Sequence, residues 1–216
     1  MYQPPLFREE NLETLHALIR AHPLGLLISA GPEGPLANAI PFYLDAGFGE
    51  KGRLQAHVAR GNGQWRAIAA GAPVLVVFQG VDAYVTPSWY QTKRETGKVV
   101  PTWNYAMVQV RGPARVVEDG QWLRAQIGVL TAGQEGARST PWAVEDAPED
   151  FIAAQIKGIV GIEIDIAAID GKWKVSQNRS AADREGVMHG LADMPDDADA
   201  AEMAELVRRY GRTGQD

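Results

Sequence analysis

The stretch that decides how the chain is organised is FQGVDAYVTPSWYQTKRETGKVVPTWNY, residues 78–105. It links an apolar run at residues 74–78 to a second apolar strand that we expect at residues 103–110. Tryptophans and tyrosines are interleaved in it with serine, threonine, asparagine and lysine. The stretch is therefore too polar for a buried core and too aromatic for an ordinary solvated connection.

This composition suits a flat aromatic ligand that carries a phosphate. Aromatic rings offer a stacking surface, hydroxyl and amide groups orient polar edges, and cations meet the phosphate. The alternative is an ordered loop whose aromatic side chains cover the core, because Tyr and Trp are often half-buried for packing reasons alone.

Length and composition set the class of protein. The chain has 216 residues and an apolar fraction of 45%, which predicts a globular protein of one domain or of a domain with appendages. It has no cysteine, which excludes disulfides and thiol catalysis and favours a reducing, cytoplasmic location. The N-terminus has no basic segment followed by an apolar one, so we expect no signal peptide. No apolar run approaches the roughly 20 residues that span a bilayer, so we expect no membrane association.

The formal net charge of −6 is unevenly distributed. Residues 193–216 carry seven acidic and three basic side chains, a net charge of −4, which leaves −2 for residues 1–192. We therefore predict a main domain over residues 1–192 and an acidic C-terminal helix or tail over residues 193–216, docked on it. Neither part has the cationic surface of a protein that binds nucleic acid by itself, so the charge does not support direct DNA binding.

The hydrophobic periodicity predicts short strands in a meander, with helices at the start, middle and end of the chain. Strands are expected at residues 24–30, 36–44, 54–59, 73–78, 104–117, 159–166 and 173–175. Helices are expected at residues 8–22, 62–70, 120–131, 148–157, 181–189 and 196–210. This order lacks the alternation of a parallel sheet and favours an antiparallel barrel with helices packed outside it, a mostly β, α+β fold.

Two of these strands carry additional signals. Gly112 and Pro113 interrupt the strand at residues 104–117 and predict a bend or bulge there. In residues 159–166, Glu163 and Asp165 alternate with isoleucines, which is the pattern of a strand with one apolar and one polar face.

The sequence HVARGNGQWR, which begins at His57, is a candidate anion-binding motif at a strand end. Gly61 and Gly63 let backbone N–H groups approach an anion, and Arg60 and Arg66 supply positive charge. Arginine can hold a phosphate with two parallel hydrogen bonds. The structural alternative is a surface turn with two solvated arginines, preceded by a hydrogen-bonded histidine.

The sequence KWKVSQNR, residues 172–179, is another candidate, at a point where a strand runs into a helix. Its Ser176, Gln177 and Asn178 could cap that helix or contact the polar edge of a ligand. Both interpretations remain open.

Motifs of several other classes are missing from the sequence. It has no G-x-G-x-x-G, no phosphate-binding P-loop and no G-x-S-x-G. Its four histidines are scattered, so we predict no metal site. No helix-turn-helix with a basic recognition helix can be recognised. The sequence names no catalytic residue.

Ordered segments along residues 1 to about 191 carry a family resemblance. They are MYQP at 1–4, HPL at 22–24, ANAIPF at 37–42, HVAR at 57–60, residues 74–84, PSWY at 87–90, residues 97–105, PW at 141–142 and residues 172–179. These segments resemble the PaiB family, which is described as FMN-binding negative transcriptional regulators.

The resemblance implies an antiparallel split β-barrel of the FMN-binding, pyridoxamine-phosphate-oxidase type, with FMN as the cofactor. It also implies a homodimer with flavin sites at the subunit interface. The chain departs from the family pattern at Ala39 and Gln134, where histidines are expected, and at Gly61 and Gly63, which replace bulkier residues. The loss of two imidazoles weighs against any histidine-dependent activity, including haem ligation.

We predict two groups of residues that contact the flavin. The group on the phosphate side is Arg60, Asn62 and Arg66. The group on the ring and ribityl side is Asn38, Pro41, Phe42, His57, Ser88, Trp89, Tyr90, Pro101, Thr102 and Trp103. Val58 and Ala59 complete the set as members of the motif that begins at His57.

The leading hypothesis is an FMN-binding cytoplasmic homodimer of the PaiB type, a transcriptional or metabolic regulator that acts indirectly or through its flavin. A rival hypothesis is a flavin-dependent reductase or oxidase of a small molecule, although nothing in the sequence names a proton donor or hydride partner. A third is a haem-binding protein of the same fold, which needs an axial ligand. His57 and His189 are the only histidines outside the first predicted helix.

Overall fold

A computed structural model describes residues 1–31, 33–194 and 196–211 of the chain, which divides into two compact units. The terminal unit consists of Met1–Leu15, Gln79–Val108 and Asp170–Asp216, and the central unit consists of His16–Phe78 and Gln109–Ile169. The predicted domain and tail, residues 1–192 and 193–216, stay a prediction. Of that tail, Pro195 and residues 212–216 lie outside the described residues.

The described residues form ten strands, seven α-helices and three short 3-10 helices. The strands are β1 (Arg8–Glu9), β2 (Leu24–Gly31), β3 (Gly34–Pro41), β4 (Tyr43–Asp45), β5 (Arg53–Ala59), β6 (Val74–Val85), β7 (Thr102–Gly112), β8 (Ala114–Val117), β9 (Ile159–Asp165) and β10 (Ala168–Lys174). The helices are α1 (Leu12–Ala21), α2 (Gln64–Ala69), α3 (Gln91–Thr96), α4 (Gly120–Glu135), α5 (Glu149–Lys157), α6 (Ala181–Ala192) and α7 (Ala198–Tyr210). The 3-10 helices are Pro5–Phe7, Pro87–Trp89 and Val144–Asp146.

Each of the six predicted helices matches an observed helix, which confirms the α+β class. The first one begins four residues later than predicted because Asn11 caps it, accepting a hydrogen bond from the Thr14 amide at 2.9 Å. In the described part of the chain, every helix is too short or too polar to cross a lipid bilayer.

The central unit contains an antiparallel four-stranded sheet in the order β4-β5-β9-β8. Its β5 alternates as predicted, with Leu54, Ala56 and Val58 buried and the residues between them half-buried. In the same unit β2 pairs antiparallel with β3 and with the first residues of β6. Antiparallel pairing throughout agrees with the predicted meander.

A buried carboxylate joins the elements of this four-stranded sheet. Only 1% of the Glu163 side chain is exposed, although the sequence pattern places it on a polar face. Its Oε1 accepts hydrogen bonds from Gln55 Nε2 at 2.8 Å and Trp122 Nε1 at 3.0 Å, and lies 3.4 Å from Arg53 Nη1. Its Oε2 pairs with the Arg115 guanidinium. Glu163 thus links β5, β8 and α4 to β9.

The terminal unit orders its strands β1-β10-β7-β6 and packs α6 against α7. On β10, Trp173 is buried and stacks on Tyr210 of α7, with ring centroids 6.4 Å apart. Buried Asp183 of α6 accepts hydrogen bonds from the Thr92 amide at 2.9 Å and the Thr92 hydroxyl at 2.8 Å. These contacts hold α3, α6 and α7 within the unit.

The stretch at residues 78–105 is less of a loop than the sequence indicates. The strand expected to end at residue 78 continues as β6 to Val85, because Val81, Ala83 and Val85 alternate into the core. The connection that remains, residues 86–101, contains a 3-10 helix and the unpredicted helix α3. Gly97 ends α3 in the left-handed conformation, with φ of 68°.

Candidate functional site

The candidate phosphate site is the turn at residues 60–66, hereafter the arginine turn, which follows β5. Its backbone is held by several local hydrogen bonds. The Asn62 amide donates to the Ala59 carbonyl at 2.8 Å, and Asn62 Oδ1 accepts from the Gln64 amide at 3.0 Å. Trp65 Nε1 donates to the Arg60 carbonyl at 3.0 Å. The turn is therefore a fixed structure at the end of a sheet strand.

The two glycines of the arginine turn face open space. A Cβ atom built on Gly61 or on Gly63 meets no heavy atom of the described residues within 4 Å. A ligand can therefore approach the backbone here without displacing a side chain, which is a common use of glycine at anion sites.

The two arginines of the turn differ in how many hydrogen bonds and ion pairs they make with the rest of the protein. Arg60 donates from Nε to the Lys157 carbonyl at 3.1 Å and from Nη2 to the Ile159 carbonyl at 3.3 Å. Its Nη1 lies 2.6 Å from Glu118 Oε2. Arg66 is exposed, and its Cζ lies 4.6 Å from the centroid of the Trp65 ring. It makes no ion pair among the described residues, so Arg66 has more donors available for a ligand than Arg60.

The side-chain amide of Asn38 is hydrogen-bonded to a buried glutamine, Gln64. Gln64 is only 1% exposed and donates from Nε2 to the Leu27 carbonyl at 3.0 Å and to Ser29 Oγ at 3.1 Å. Its Oε1 accepts from Asn38 Nδ2 at 2.8 Å. The two amides thus join β2, β3 and α2 beneath the arginine turn. The sequence reasoning missed Gln64, since a single glutamine at a helix start carries no recognisable signal.

His57 lies on β5 and is half-buried. Its Nδ1 is 2.7 Å from Oε1 of Gln126, a residue of α4 that is 2% exposed. Nδ1 is therefore engaged by Gln126, which leaves Nε2 as the ring nitrogen that a ligand can contact. Gln126 Nε2 is buried without a hydrogen-bond partner in the described residues. Of the neighbouring predicted residues, Val58 belongs to the core and Ala59 is exposed.

Pro41 and Phe42 line two clefts beside the end of α4. Phe42 is 2% exposed, packs edge-on against Phe78 with centroids 5.6 Å apart, and borders a cleft of about 500 Å³. Pro41 borders a second cleft of about 470 Å³ together with Trp142. Gln134, which stands where the family pattern has a histidine, lines both clefts. Volumes of this size suit one small organic ligand.

In the terminal unit, Trp89 packs closely against two glycines of α6, Gly186 and Gly190. A Cβ atom on Gly186 would collide with the Trp89 carbonyl oxygen, and one on Gly190 would collide with the indole ring. The helix backbone therefore replaces side chains as the surface under this half-buried tryptophan. Beside it, the exposed Ser88 accepts a hydrogen bond from Lys93 Nζ at 3.0 Å.

Tyr90 is fully buried, with the Arg179 guanidinium 4.6 Å from its ring centroid. Burial raises the pKa of the Tyr90 hydroxyl, and the nearby Arg179 cation opposes the shift. Of the last predicted residues, Pro101 is exposed and the Thr102 hydroxyl accepts from Lys174 Nζ. Trp103 is exposed and is described below with its ring partner.

The predicted flavin residues fall into both units. Those in the central unit are Asn38, Pro41, Phe42, His57, Val58, Ala59, Arg60, Asn62 and Arg66. Those in the terminal unit are Ser88, Trp89, Tyr90, Pro101, Thr102 and Trp103. Within the central unit, the arginine turn directly follows β5, the strand that carries His57. The role of each residue as a flavin contact stays a prediction.

The family of the chain follows from comparison with known proteins. Residues 1–168 match the family model described as "Putative FMN-binding domain". Protease synthase and sporulation protein PAI 2 of Bacillus subtilis is 31% identical over 210 residues, 96% of each chain. Protein AN0679 of Emericella nidulans is 37% identical over 246 residues, 98% of each chain. The chain therefore belongs to this family of FMN-binding domains, and the resemblance to the PaiB family is confirmed.

The solved structures show the same fold. The FAD and haem binding protein from Mycobacterium smegmatis superposes with a TM-score of 0.57 over 77% of this chain and 73% of that one, at 19% sequence identity. The predicted split β-barrel fold is thereby confirmed, and so is FMN as the cofactor that family membership assigns.

The residues present fit the phosphate end of FMN. The arginine turn offers the exposed guanidinium of Arg66, which has no ion pair among the described residues, a second guanidinium at Arg60, and open backbone at Gly61 and Gly63. Charge-assisted hydrogen bonds from arginine are among the strongest contacts to phosphate. The buried, unpartnered Nε2 of Gln126 is a polar donor next to His57.

The close packing of Trp89 against Gly190 predicts how a side chain at position 190 changes the stability of the fold. Gly190→Ala should destabilise the protein by about 1–3 kcal/mol, the usual range for forcing a methyl group into a filled space. The matched control is Gly128→Ala in α4, where a new Cβ meets no atom within 4 Å and should stabilise by about 0.5–1 kcal/mol. Urea unfolding followed by tryptophan fluorescence measures the free energy of unfolding of both variants. Equal effects of the two changes would contradict the close packing of Trp89 against Gly190.

Proposed function

We propose that the chain is a homodimeric FMN-binding regulator of the PaiB type whose flavin phosphate binds at the arginine turn. The observation that carries the proposal is the exposed Arg66, with no ion pair in the described part of the chain, beside two open glycines, in a chain that belongs to an FMN-binding family. No other strand end of the described residues combines two arginines and two glycines within seven positions.

The residues of the central unit take distinct roles in this proposal. Arg66 and the backbone of the arginine turn bind the phosphate, and Arg60 contributes its positive charge from a position fixed by Glu118. His57 offers Nε2 to a polar group of the ligand. Phe42 presents an apolar wall that excludes water. When bound, FMN supplies a ring system that exchanges one or two electrons with a partner.

The phosphate contact is tested by comparing FMN with riboflavin, which lacks the phosphate. Arg66→Ala should weaken FMN binding about 10- to 100-fold, because a hydrogen bond to a charged group contributes about 1.5–3 kcal/mol. Riboflavin binding should change less than about twofold. Arg124→Ala removes the same charge from α4, where Arg124 pairs with Glu149, and should leave both affinities unchanged. Titration calorimetry measures all four.

The same titration can contradict the assignment. An equal loss for FMN and riboflavin would show that Arg66 supports the fold and does not contact the phosphate. Glu118→Gln adds an independent check, because it removes a carboxylate beside Arg60 and should tighten FMN a few-fold without affecting riboflavin.

The regulatory part of the proposal is supported by the relative from Bacillus subtilis, which is named a protease synthase and sporulation protein. We propose that regulation by this chain does not involve direct contact with DNA, because the net charge is −6 and α7 begins with carboxylates. It would then act through a partner, through flavin chemistry, or by removing a small signal molecule.

An electrophoretic shift assay tests this point with the upstream region of the protein's own gene. At about 0.15 M salt, with or without FMN, no sequence-specific complex should form, since the net charge of −6 disfavours contact with the DNA phosphates. A complex at nanomolar protein that resists competitor DNA would overturn the indirect mechanism.

One observation favours an enzymatic alternative, a flavin-dependent reductase or oxidase of a small molecule. The two clefts beside Pro41 and Phe42 are large enough for a small substrate, at about 500 and 470 Å³. Their lining includes Glu135 and Asp45, which are candidate proton carriers. Consumption of NADH or NADPH by the FMN-loaded protein supports this alternative, and its absence under air and under argon removes it.

The proposed homodimer is supported by exposed aromatic surface in the terminal unit. Trp103 is 54% exposed and Tyr84 is 48% exposed, and their rings meet edge to face with centroids 5.8 Å apart. Val100 nearby in sequence is 66% exposed. Exposed apolar side chains in one group are typical of protein interfaces.

The proposed dimer can be tested by introducing a negative charge at Trp103, whose ring contacts Tyr84. Light scattering after size exclusion at low micromolar protein should give twice the chain mass of 23.4 kDa for the wild type. Trp103→Asp should shift the population towards the monomer, because a carboxylate would be buried unpaired in the interface. Phe151→Asp, at a side chain that is 53% exposed on α5, is the control and should remain dimeric. A monomeric wild type would refute the proposal.

A further inference from the structure

A second group of cations lies in the terminal unit, beyond residue 168 where the family match ends. Lys172 and Lys174 are two positions apart on β10 and therefore lie on the same face of the sheet. Trp173 between them points to the opposite face, where it stacks on Tyr210. The strand thus separates a packed aromatic face from a face that carries two ammonium groups.

Both lysines approach one tyrosine of the neighbouring strand β7. The Nζ atoms of Lys172 and Lys174 lie 5.4 and 5.9 Å from the ring centroid of Tyr105. Lys172 is also 5.4 Å from the ring of Tyr2 and is only 9% exposed. Lysine is rarely buried to this extent unless it is paired.

One acidic residue of β10, Asp170, lies on the same face two positions before Lys172, and its Oδ2 is 4.0 Å from the N-terminal amine. Among the residues that the structure describes, no carboxylate forms an ion pair with Lys172, Lys174 or Arg179. Burial lowers the pKa of Lys174, and the Arg179 and Lys172 cations lower it further. The protein therefore holds three like charges close together in a partly desolvated place, at a cost in folding free energy.

The hydrogen bonds of the cluster leave donors unused. Lys174 Nζ donates to Thr102 Oγ1 and to the Trp103 carbonyl, which accounts for two of its three N–H groups. Within the described part of the chain, the Lys172 ammonium contacts aromatic ring faces and makes no hydrogen bond. Four ammonium N–H donors of the two lysines are thus available to an acceptor.

The geometry points to an anion site in which Lys172, Lys174 and Arg179 bind the phosphate or carboxylate group of a small ligand other than the flavin. An anion would satisfy the free donors and remove the repulsion between the three cations. A neutral ligand with a carbonyl oxygen could accept hydrogen bonds from these donors but would leave the repulsion between the cations in place. Every residue of the site belongs to the terminal unit. Because Lys174 bonds to Thr102 and Arg179 lies over Tyr90, two of the predicted flavin residues, the experiment has to compare the anion with FMN directly.

Titration calorimetry with phenyl phosphate, benzoate and neutral benzamide tests the site, on flavin-free and FMN-loaded protein. The wild type should bind at least one of the two anions and should not bind benzamide. Lys172→Met keeps the apolar stem, and Lys174→Gln keeps a hydrogen-bond donor, so both variants should fold. Each should weaken the anion at least tenfold. Arg94→Gln removes an equal charge from an exposed position on α3 and should change binding less than twofold.

Competition with the flavin separates the two possible sources of the anion. If saturating FMN and riboflavin leave phenyl phosphate binding unchanged, the ligand is separate from the flavin, as proposed. If FMN displaces the probe and riboflavin does not, the cluster binds the flavin's own phosphate, which overturns the claim of a second ligand. If the wild type binds the anions no more tightly than the Lys172→Met variant, there is no anion site.

Thermal unfolding excludes a structural explanation for lost binding. Because the three cations repel one another, Lys172→Met should melt at the same temperature as the wild type or higher. A clear fall in the melting temperature would instead show that Lys172 stabilises the fold through contacts of its own, and would contradict the inference.

Discussion

The architecture of the central unit depends on one buried carboxylate. Glu163 accepts hydrogen bonds from Gln55 and Trp122 and pairs with Arg53 and Arg115, so that β5, β8, β9 and α4 converge on it. Burying a charge is unfavourable unless each of its oxygens finds partners, and here the partners come from three elements other than β9 itself. The requirement fixes β5 in position, and β5 delivers both His57 and the arginine turn.

A rigid strand end explains why the two arginines of the turn differ. Arg60 follows β5 directly and is held by backbone carbonyls and by Glu118, whereas Arg66 lies in the first turn of α2 and is exposed. Binding residues are commonly placed on loops that a stable scaffold positions. In this chain the buried Gln64 side chain anchors that loop to β2. The backbone at Gly61 and Gly63 stays open to a ligand.

The strands and helices were largely predictable because their hydrophobic periodicity is strong, and the break at Gly112 and Pro113 separates β7 from β8 as expected. At Gly112 a side chain would collide with the Asp165 carbonyl, which is why glycine stands there. Glu163 was expected on a polar face because alternation alone does not reveal that both faces of β9 are covered. The partnership of His57 with Gln126 depends on tertiary contacts across 69 positions, which no local pattern encodes.

The crystal structure of the FMN complex tests the central claim most directly. We expect the flavin phosphate within hydrogen-bonding distance of the Arg66 guanidinium and of backbone N–H groups at Gly61 to Gly63. Arg60 should keep its bond to Glu118 or exchange it for the phosphate. A phosphate bound instead between Lys172 and Lys174, with the arginine turn in contact with solvent only, would contradict the account.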